Sequence, residues 1–333
     1  MNSFIKKIVI TVFALSLASL GACTSSDQET EGTALETLTA DFVPPSGAGD
    51  HEGTEGPWAR RLLGAQSTDG LNWTKSNIVI SDQADVADLV VDENGRLYMY
   101  YYAWKIGDKE NLTAMAISDD NGDTWVFKKM EFSGFPNRGD LADPNVIYED
   151  GVFHIYGSTR EMGETMNTGK TYILHGESTD GISFTYKSVA FEPDSGNAGV
   201  ASVFKTGDSW SLMSLASIGF NDGTEMGTVW RASSVEGDTF ILKDTVIFKD
   251  EETVYFHGNV VPFEDGYRLY VFSGQTPWIK SFFSEDADEW ELEDGYRLTL
   301  DKSSDLESGF VSDPDVIQLS DGTYFMVYST LIP

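Results

Sequence analysis

A hairpin pattern recurs five times along this 333-residue chain, and this repeat limits the fold more strongly than any other feature. Two copies match closely: DPNVIYEDGVFHIYGST at 143–159 and DPDVIQLSDGTYFMVYST at 313–330. Each copy is an apolar run, a polar turn with glycine and a second apolar or aromatic run, which predicts a β-hairpin. Looser copies begin at Asp88, Ala201 and Gly258, so the five starts are 55, 58, 57 and 55 residues apart. This period indicates a repeated β-architecture.

A second motif alternates with the first. SDDNGDTW at 118–125 fits the pattern S-x-D-x-G-x-T-W and resembles the Asp-box, which forms the turn between the two outer strands of a propeller blade. Its serine and aspartate are expected to accept backbone N–H bonds, and its tryptophan to pack under the hairpin. We interpret it as a folding motif without a catalytic role. Weaker copies lie at 67–73, 178–184, 234–240 and 284–290.

Five inner and five outer hairpins make five four-stranded units, and helical periodicity is nearly missing after the N-terminal leader. The sequence therefore predicts an all-β fold, a five-bladed β-propeller of four-stranded antiparallel blades. The last inner hairpin, 313–330, has no outer hairpin after it, whereas the outer hairpin at 67–73 has no inner one before it. We expect residues 57–80 to complete the last blade and close the ring, which removes an exposed sheet edge.

Residues 1–22 have the features of a signal peptide. Lys6 and Lys7 precede the apolar run Ile8–Leu20, which is short for a membrane span. The Leu-Gly-Ala-Cys sequence that ends at Cys23 resembles the lipobox of bacterial lipoproteins, so the resemblance implies lipidation of Cys23 and an outer-membrane location, periplasmic or surface-exposed. The alternative is an ordinary secretory signal with an incidental cysteine.

Residues 23–56 are acidic and poor in apolar side chains, which predicts a disordered tether between the lipid and a propeller at 57–333. The formal net charge of −32 argues against binding to nucleic acids or anionic membrane surfaces, because both require a basic surface. We expect a monomer that contacts the membrane through its N-terminal lipid only.

Propeller geometry indicates where a site would lie. The loops before the first strand and after the second strand of each blade share one face, so their side chains converge on a central funnel. Carboxylates for acid–base chemistry and aromatic faces for sugar rings are the mixture that carbohydrate chemistry uses. The strand starts supply Asp88, Asp140, Asp143, Asn197, His257, Asn259, Asp313 and Asp315, and the later loops supply Trp104, Arg160, Glu161, Glu164, Asn221, Asp222, Glu225, Gln275 and Trp278.

The period and the Asp-Pro-x-Val-Ile starts of residues 57–333 resemble the five-bladed glycoside hydrolase superfamily, which includes families 43, 32, 117 and 130. The resemblance implies that Asp88 is the base, that Asp143 is the second aspartate, and that a glutamate opens the third blade as the acid. That blade opens instead with Ala201 and Ser202, and its opening segment contains no glutamate. The acid candidates are then Glu225, Glu161 and His257; the substrate-binding candidates are Asp140, Arg160, Trp104, Asn259, Trp278 and Asp313.

Four functions stay open at this point. The first is a glycoside hydrolase, or a phosphorylase-like relative, that acts on a plant or algal polysaccharide. The second is a glycan-binding lipoprotein without catalysis, the third is a sialidase, and the fourth is a purely structural propeller. A sialidase would need six blades and three arginines, and Arg160 and Arg231 alone do not form that set. His257 could be an acid or substrate contact, a channel ligand or a structural group. No cofactor is required, although a structural calcium or other cation could lie in the central channel.

Overall fold

The computed structural model describes residues 38–54, 56–136, 141–159, 170–216, 225–274 and 276–333. Thr39–Pro333 form one compact unit. The predicted signal peptide and Cys23 lie outside the described residues. No helix in the described ranges is long and apolar enough to cross a membrane.

The described residues form a short 3₁₀ turn, Pro57–Ala59, and twenty-two strands. The first eleven are β1 (Arg60–Ser67), β2 (Thr74–Asp82), β3 (Ala84–Val91), β4 (Leu97–Ile106), β5 (Lys109–Ser118), β6 (Val126–Lys129), β7 (Glu131–Ser133), β8 (Ala142–Glu149), β9 (Val152–Ser158), β10 (Ile173–Ser178) and β11 (Ser183–Phe191). The others are β12 (Ala198–Thr206), β13 (Ser209–Ala216), β14 (Thr228–Ser234), β15 (Ile241–Ile247), β16 (Phe256–Phe263), β17 (Gly266–Phe272), β18 (Trp278–Ser284), β19 (Glu291–Leu292), β20 (Leu298–Thr299), β21 (Ser308–Gln318) and β22 (Tyr324–Leu331).

These strands form five sheets, which are the blades of a propeller. Blade one is β3-β4-β5-β6, blade two is β8-β9-β10-β11 with β7 along its outer edge, and blade three is β12-β13-β14-β15. Blade four is β16-β17-β18-β19, with β20 also paired to β18, and blade five is β21-β22-β1-β2. The innermost strands β3, β8, β12, β16 and β21 contact each other in this order and back to β3. The predicted all-β fold with five four-stranded antiparallel blades is therefore confirmed.

Blade five contains strands from the beginning and the end of the domain. Strand β1 pairs with β22 in an unbroken antiparallel register from Arg60 opposite Leu331 to Ser67 opposite Tyr324. Strand β2 pairs with β1, and β21 pairs with β22. The final hairpin of the chain thus gains two outer strands from residues that precede blade one.

The hydrophobic core lies between the blades. Strand β4, LYMYYYAWKI, is buried along almost its whole length because neighbouring blades cover both of its faces. The clusters of buried apolar residues each combine two adjacent blades, for example Leu62 and Phe325 of blade five with Met99 and Tyr101 of blade one. Burial of each such side chain is favourable by about 1.5–3 kcal/mol, so contact between blades stabilises the ring.

The turns between the outer strands have the hydrogen bonds that the sequence pattern predicts. In the turn at 118–125, Ser118 Oγ accepts from the amides of Asp120 and Gly122, and Asp120 Oδ1 accepts from the amide of Thr124. The indole of Trp125 donates to the carbonyl of Gly122. These contacts fix the turn locally, which agrees with a folding role.

Three of these turns are also bonded to the preceding blade. Tyrosines on the second strands of blades one, two and four donate from their hydroxyl groups to glycine carbonyls in the turns of the next blade. The donor–acceptor pairs are Tyr100–Gly181 at 2.8 Å, Tyr156–Gly237 at 3.0 Å and Tyr270–Gly70 at 2.8 Å.

Part of the predicted tether belongs to the folded domain. Residues 39–54 lie in the same compact unit as the propeller. Phe42 packs on Phe127 with ring centroids 5.7 Å apart, and the amide of Gly47 donates to Asp82 at 2.6 Å. Specific contacts of this kind bind the segment to the propeller although its composition is polar.

Candidate functional site

Five side chains form a ring around the propeller axis, one from the inner strand of each blade. We call this the axial ring: Asp88, Asn145, Ser202, Asn259 and Asp315. Each ring side chain accepts a hydrogen bond from the amide that follows the ring position in the next blade. The accepted amides belong to Val146, Val203, Val260, Val316 and Leu89, at 2.6, 2.8, 3.0, 3.0 and 3.4 Å respectively. The ring thus joins all five blades at the axis.

The ring corrects the alignment of the repeats. Sequence comparison paired Asp88 with Asp143, whereas the structure places Asp88 in register with Asn145, two positions later. The carboxylate of Asp88 accepts from the Asn145 side chain at 2.6 Å as well as from the Val146 amide, and it is 4% exposed. These contacts favour a structural role for Asp88 over the role of base that the family resemblance implies.

Asp88 and Asp315 form a pair of buried carboxyl groups in the ring. Burial raises the pKa of Asp88 to about 7 and the pKa of Asp315 well above its ordinary value, and the charge of Asp88 adds to the shift of Asp315. Two carboxyl groups in contact cannot both ionise cheaply, so the pair retains a proton at neutral pH.

The residue two places before each ring residue turns toward the funnel. We call these the rim positions: Val86, Asp143, Val200, His257 and Asp313. The pairing of the inner strand with the second strand is interrupted at this position in blades one, two, three and five, and directly after His257 in blade four. Four rim residues, both valines among them, have positive φ values between 39° and 52°. Residues with a side chain rarely adopt such values. Since Val86 and Val200 carry no polar group, the strained bulge belongs to the fold itself.

Carboxyl groups converge at one side of the rim. Arg60 Nη1 lies 2.7 Å from Asp85 Oδ2 and 3.3 Å from Asp313 Oδ2, although Arg60 comes from β1 of blade five. Ser329 donates to Asp85 at 2.7 Å, and Ser158 donates to Asp143 at 3.1 Å. We call Asp85, Asp143, Asp313 and Arg60 the rim cluster.

The environment of Asp313 favours its protonated form. Burial, together with the charges of Asp85 and Asp143, raises the pKa of Asp313 to about 7, although Arg60 opposes the shift. A carboxyl group that holds its proton near neutral pH can serve as a general acid.

His257 faces a small cavity on the axis. This cavity, of about 30 Å³, is lined by rim and ring residues, and it has room for water or an ion. His257 is 1% exposed; its Nδ1 lies 2.8 Å from the carbonyl of Gly258, and its Nε2 has no hydrogen-bond partner among the described residues. Burial lowers the pKa of His257 to about 4, so the imidazole is neutral and presents a lone pair. A neutral imidazole suits a ligand or acceptor better than a proton donor.

The cation proposed for the central channel can be tested against these groups. Nε2 of His257 and Oδ1 of Asp315 are the buried atoms of the cavity lining without partners in the described residues. Calcium takes six to eight oxygen ligands, and this small cavity offers few free ones. The residues fit a water molecule, or an ion that retains water, better than a fully protein-bound calcium.

Other predicted site residues have different positions. Trp104 was expected at the surface, but it is 9% exposed because His51 and Trp58 pack against its ring at 5.5 and 5.1 Å. Trp278 is half-buried and stacks on Tyr296. Glu225 is exposed, and neither Trp278 nor Glu225 lines the axial cavity.

Of the remaining candidates, two asparagines form hydrogen bonds with the backbone and three residues lie outside the described ranges. The side chain of Asn259 belongs to the axial ring, where both of its polar atoms bond to Val316. The side chain of Asn197 accepts from the amide of Thr171. The candidates Asp140, Arg160 and Glu161 lie outside the described residues.

Sequence reasoning missed Asp85 and Arg60. Asp85 lies three residues before Asp88, and its counterparts Ala142 and Ser312 are not acidic, so the repeat carried no signal for it. Arg60 reaches the rim only because β1 pairs with β22. Pairing between the two ends of the domain was the signal that could have identified Arg60.

Comparison with known proteins shows that this chain resembles several solved structures in its fold. Neither a family model nor a curated protein matches the sequence. Among solved structures, a thermostable family-43 glycoside hydrolase matches with a TM-score of 0.56 and 15% identity, over 74% of this chain and 88% of that chain. An N-acetylgalactosamine deacetylase from F. plautii, in complex with blood group B trisaccharide, matches with a TM-score of 0.55 and 14% identity, over 77% and 81%.

An α-L-arabinanase mutant from Cellvibrio cellulosa matches with a TM-score of 0.54 and 11% identity, over 74% of this chain and 85% of that chain. At such identities the likeness concerns the fold alone. The neighbours include a hydrolase of family 43 and a deacetylase, so one fold supports different reactions. The resemblance to five-bladed propeller glycoside hydrolases is confirmed at the level of the fold.

Proposed function

We propose that the protein is a carbohydrate-active hydrolase whose reacting groups are Asp143 and Asp313. The observation that carries this proposal is the rim cluster, in which carboxyl groups of blades one, two and five meet beside Arg60. Glycoside hydrolysis needs one carboxyl group that holds a proton and a second one that acts as base or nucleophile. A plant or algal poly- or oligosaccharide is the substrate class that we propose.

In this mechanism Asp313 donates its proton to the leaving oxygen, which replaces the glutamate expected on blade three. Asp143, on blade two, acts as base or nucleophile. Arg60 holds Asp85 and Asp313 in a fixed geometry through contacts of 2.7 and 3.3 Å. His257 acts as an acceptor toward water or substrate, because its imidazole is neutral.

The test uses the reactivity of the leaving group. Asp313→Asn should lower turnover of substrates with a poor alcohol leaving group by about 10²–10⁴-fold, since general acid catalysis contributes that much. The same variant should retain most of its turnover of aryl glycosides with strongly activated leaving groups, which need no proton. Asp143→Asn should lose turnover of both, whereas Asp321→Asn on an exposed turn is the matched control.

The pH profile gives a second readout. Because the acid must be protonated, wild-type kcat/KM should fall as the pH rises above about 7, the value to which the pKa of Asp313 is raised. An unchanged profile in Asp313→Asn, or an equal loss on activated and poor leaving groups, would refute the assignment of Asp313 as the acid.

A glycan-binding protein without catalysis is the second candidate. It is favoured by Val86 and Val200, which occupy two of the five rim positions with apolar side chains, so the polar rim is incomplete. In that case a glycan array would show binding that survives in Asp313→Asn, and reducing-sugar assays would show no turnover by wild type. A sialidase is less favoured, because Arg231 lies on an outer strand and pairs with Asp244 at 2.6 Å.

We also propose attachment to the outer membrane through a lipid on Cys23. The Leu-Gly-Ala-Cys sequence after an apolar run supports this proposal. Labelled palmitate should be incorporated into the wild-type chain and be missing from Cys23→Ser. Equal incorporation into both chains would exclude Cys23 as the modified residue.

A further inference from the structure

A cluster of two histidines and a glutamate lies on blade two, away from the rim cluster. Strands β9 and β10 are antiparallel, with His154 opposite Glu177 and Tyr156 opposite His175. Side chains two apart on a strand share a face, so His154, His175 and Glu177 project from the same face of the sheet. His154 is level with Ile147, toward the end of β8 that is remote from Asp143.

The ligand atoms of the three side chains are close enough to share one ion. Nδ1 of His154 lies 3.1 Å from Nε2 of His175 and 3.9 Å from Oε1 of Glu177. All three ligand atoms lie within 4.8 Å of one another. A tetrahedral ion with bonds of about 2.0–2.2 Å holds its ligand atoms roughly 3.4 Å apart, so only small side-chain movements are needed.

The second nitrogen of His175 provides an independent observation. His175 is 0% exposed and stacks on Tyr156, yet its Nδ1 forms no hydrogen bond within the described residues. Oδ1 of Asp238, in a turn of blade three, lies 3.2 Å from this nitrogen. Histidines that bind a metal through one nitrogen usually direct the other toward a carboxylate, which orients the ring.

The facing nitrogens of the two imidazoles already share a hydrogen bond, between Nδ1 of His154 and Nε2 of His175 at 3.1 Å. One of these nitrogens therefore carries a proton, since a neutral imidazole has one N–H and one lone pair. When an ion binds, this proton moves to an outer ring nitrogen or is released to solvent.

We propose that His154, His175 and Glu177 bind one divalent first-row transition-metal ion, with Zn²⁺ as the best fit. Two imidazoles and one carboxylate are a ligand set that Zn²⁺ prefers, whereas calcium prefers oxygen ligands. The ion joins the second and third strands of blade two, and Asp238 connects it to blade three. Three protein ligands leave one coordination position open.

Besides the hydrogen bond between the two histidines, an ion pair of Glu177 must break when the ion binds. Nζ of Lys187 lies 2.8 Å from Oε2 of Glu177, with the lysine side chain 43% exposed. Exposed ion pairs are weak, so the lysine can move into solvent when an ion binds. Removal of this lysine should therefore strengthen metal binding, an effect that a purely structural cluster would not produce.

The experiment titrates the full chain, freed of metal by a chelator, with Zn²⁺ and with Co²⁺ by calorimetry and visible absorption. Wild type should bind one ion, and its melting temperature should rise with Zn²⁺. His154→Gln and Glu177→Gln should weaken binding by more than about 10–100-fold, the loss that removal of an outer partner alone produces. Lys187→Gln should bind more tightly than wild type.

His51→Gln is the matched control, because His51 lies outside the cluster and its Nδ1 bonds to the carbonyl of Glu52. Equal affinity in His154→Gln and His51→Gln would overturn the proposal. So would equal competition by Ca²⁺, which would indicate nonspecific binding to surface carboxylates. If His154→Gln does not fold, the other two variants test the proposal: Glu177→Gln should bind Zn²⁺ more weakly than wild type, and Lys187→Gln should bind it more tightly.

Discussion

Asn259 binds both main-chain groups of Val316 in the next blade: its Nδ2 donates to the carbonyl at 2.7 Å, and its Oδ1 accepts from the amide at 3.0 Å. One side chain thus substitutes for a strand partner at the axis between blades four and five. The arrangement explains why an amide is present at this ring position, since a carboxylate could not donate.

We predict that Asn259→Leu destabilises the domain by about 2–4 kcal/mol, because it leaves two buried backbone groups unsatisfied at about 1–3 kcal/mol each. Chemical denaturation measures the free energy of unfolding. Asn94→Leu, in an exposed turn, is the control and should change it little. A loss in Asn259→Leu no larger than that of the control would show that solvent replaces the two bonds.

Tyr270→Phe tests the bond between blade four and the first turn of the domain. The substitution removes the hydroxyl that donates to the Gly70 carbonyl at 2.8 Å, while the indole of Trp73 still donates to the same carbonyl at 3.2 Å. We expect a loss of about 0.5–1.5 kcal/mol in the free energy of unfolding, the net contribution of one hydrogen bond. Tyr296→Phe, whose side chain is 54% exposed, serves as the control. Equal stability of the two variants would contradict a stabilising role for this bond.

Gly258→Ala tests the close approach of blades four and five beside the rim. A Cβ atom at Gly258 would lie 2.2 Å from the carbonyl oxygen of Pro314, which is backbone and cannot move aside. Overpacking of this kind costs about 1–3 kcal/mol or more. Gly207→Ala, where φ is +60° but the space is open, should cost less, about 1 kcal/mol. Thermal and urea unfolding of both variants give the comparison; a larger loss in Gly207→Ala would refute the argument.

The buried carboxyl groups make stability depend on pH. In the unfolded chain Asp313 loses its proton near its ordinary pKa of 3.8, whereas in the folded protein it keeps the proton up to about 7. The folded state binds more protons in this window, so its stability falls as the pH rises through it, by up to about 1.4 kcal/mol per pH unit for each proton.

Urea unfolding of wild type and Asp313→Asn between about pH 5 and about pH 8 measures this effect. The slope of stability against pH should be shallower in the variant, and a residual slope should remain from Asp88 and Asp315. Parallel curves for the two proteins would show that Asp313 ionises normally in the folded state.

The repeat predicted the hairpins and the five blades because each hairpin carries its own turn signal. The register within the inner strands was harder to predict. Matching one aspartate to another aligned Asp88 with Asp143 in the repeat. The residues that do correspond differ in type and share a hydrogen-bonding role: Asp88, Asn145, Ser202, Asn259 and Asp315. A side-chain acceptor next to the axis is the shared requirement, and aspartate, asparagine and serine all satisfy it.

The site was only partly predictable for a related reason. Asp143, Asp313 and His257 lie at the same point of the repeat, on the inner strands of their blades, so their positions followed from the repeat. The contact between Arg60 and Asp313 joins residues 253 positions apart through strand pairing in blade five. Trp104 is covered by His51 and Trp58, and the polar composition of the segment around His51 did not indicate contacts with the propeller.

At the rim positions the backbone conformation does not depend on which side chain is present. Valine, aspartate and histidine all occupy the same point of the repeat, and four of these residues have the same unusual φ whatever side chain they carry. Each blade therefore has one position at the rim of the funnel where the side chain can change without a change in the backbone. A new set of side chains could be installed one blade at a time while the axial ring below keeps the blades in register.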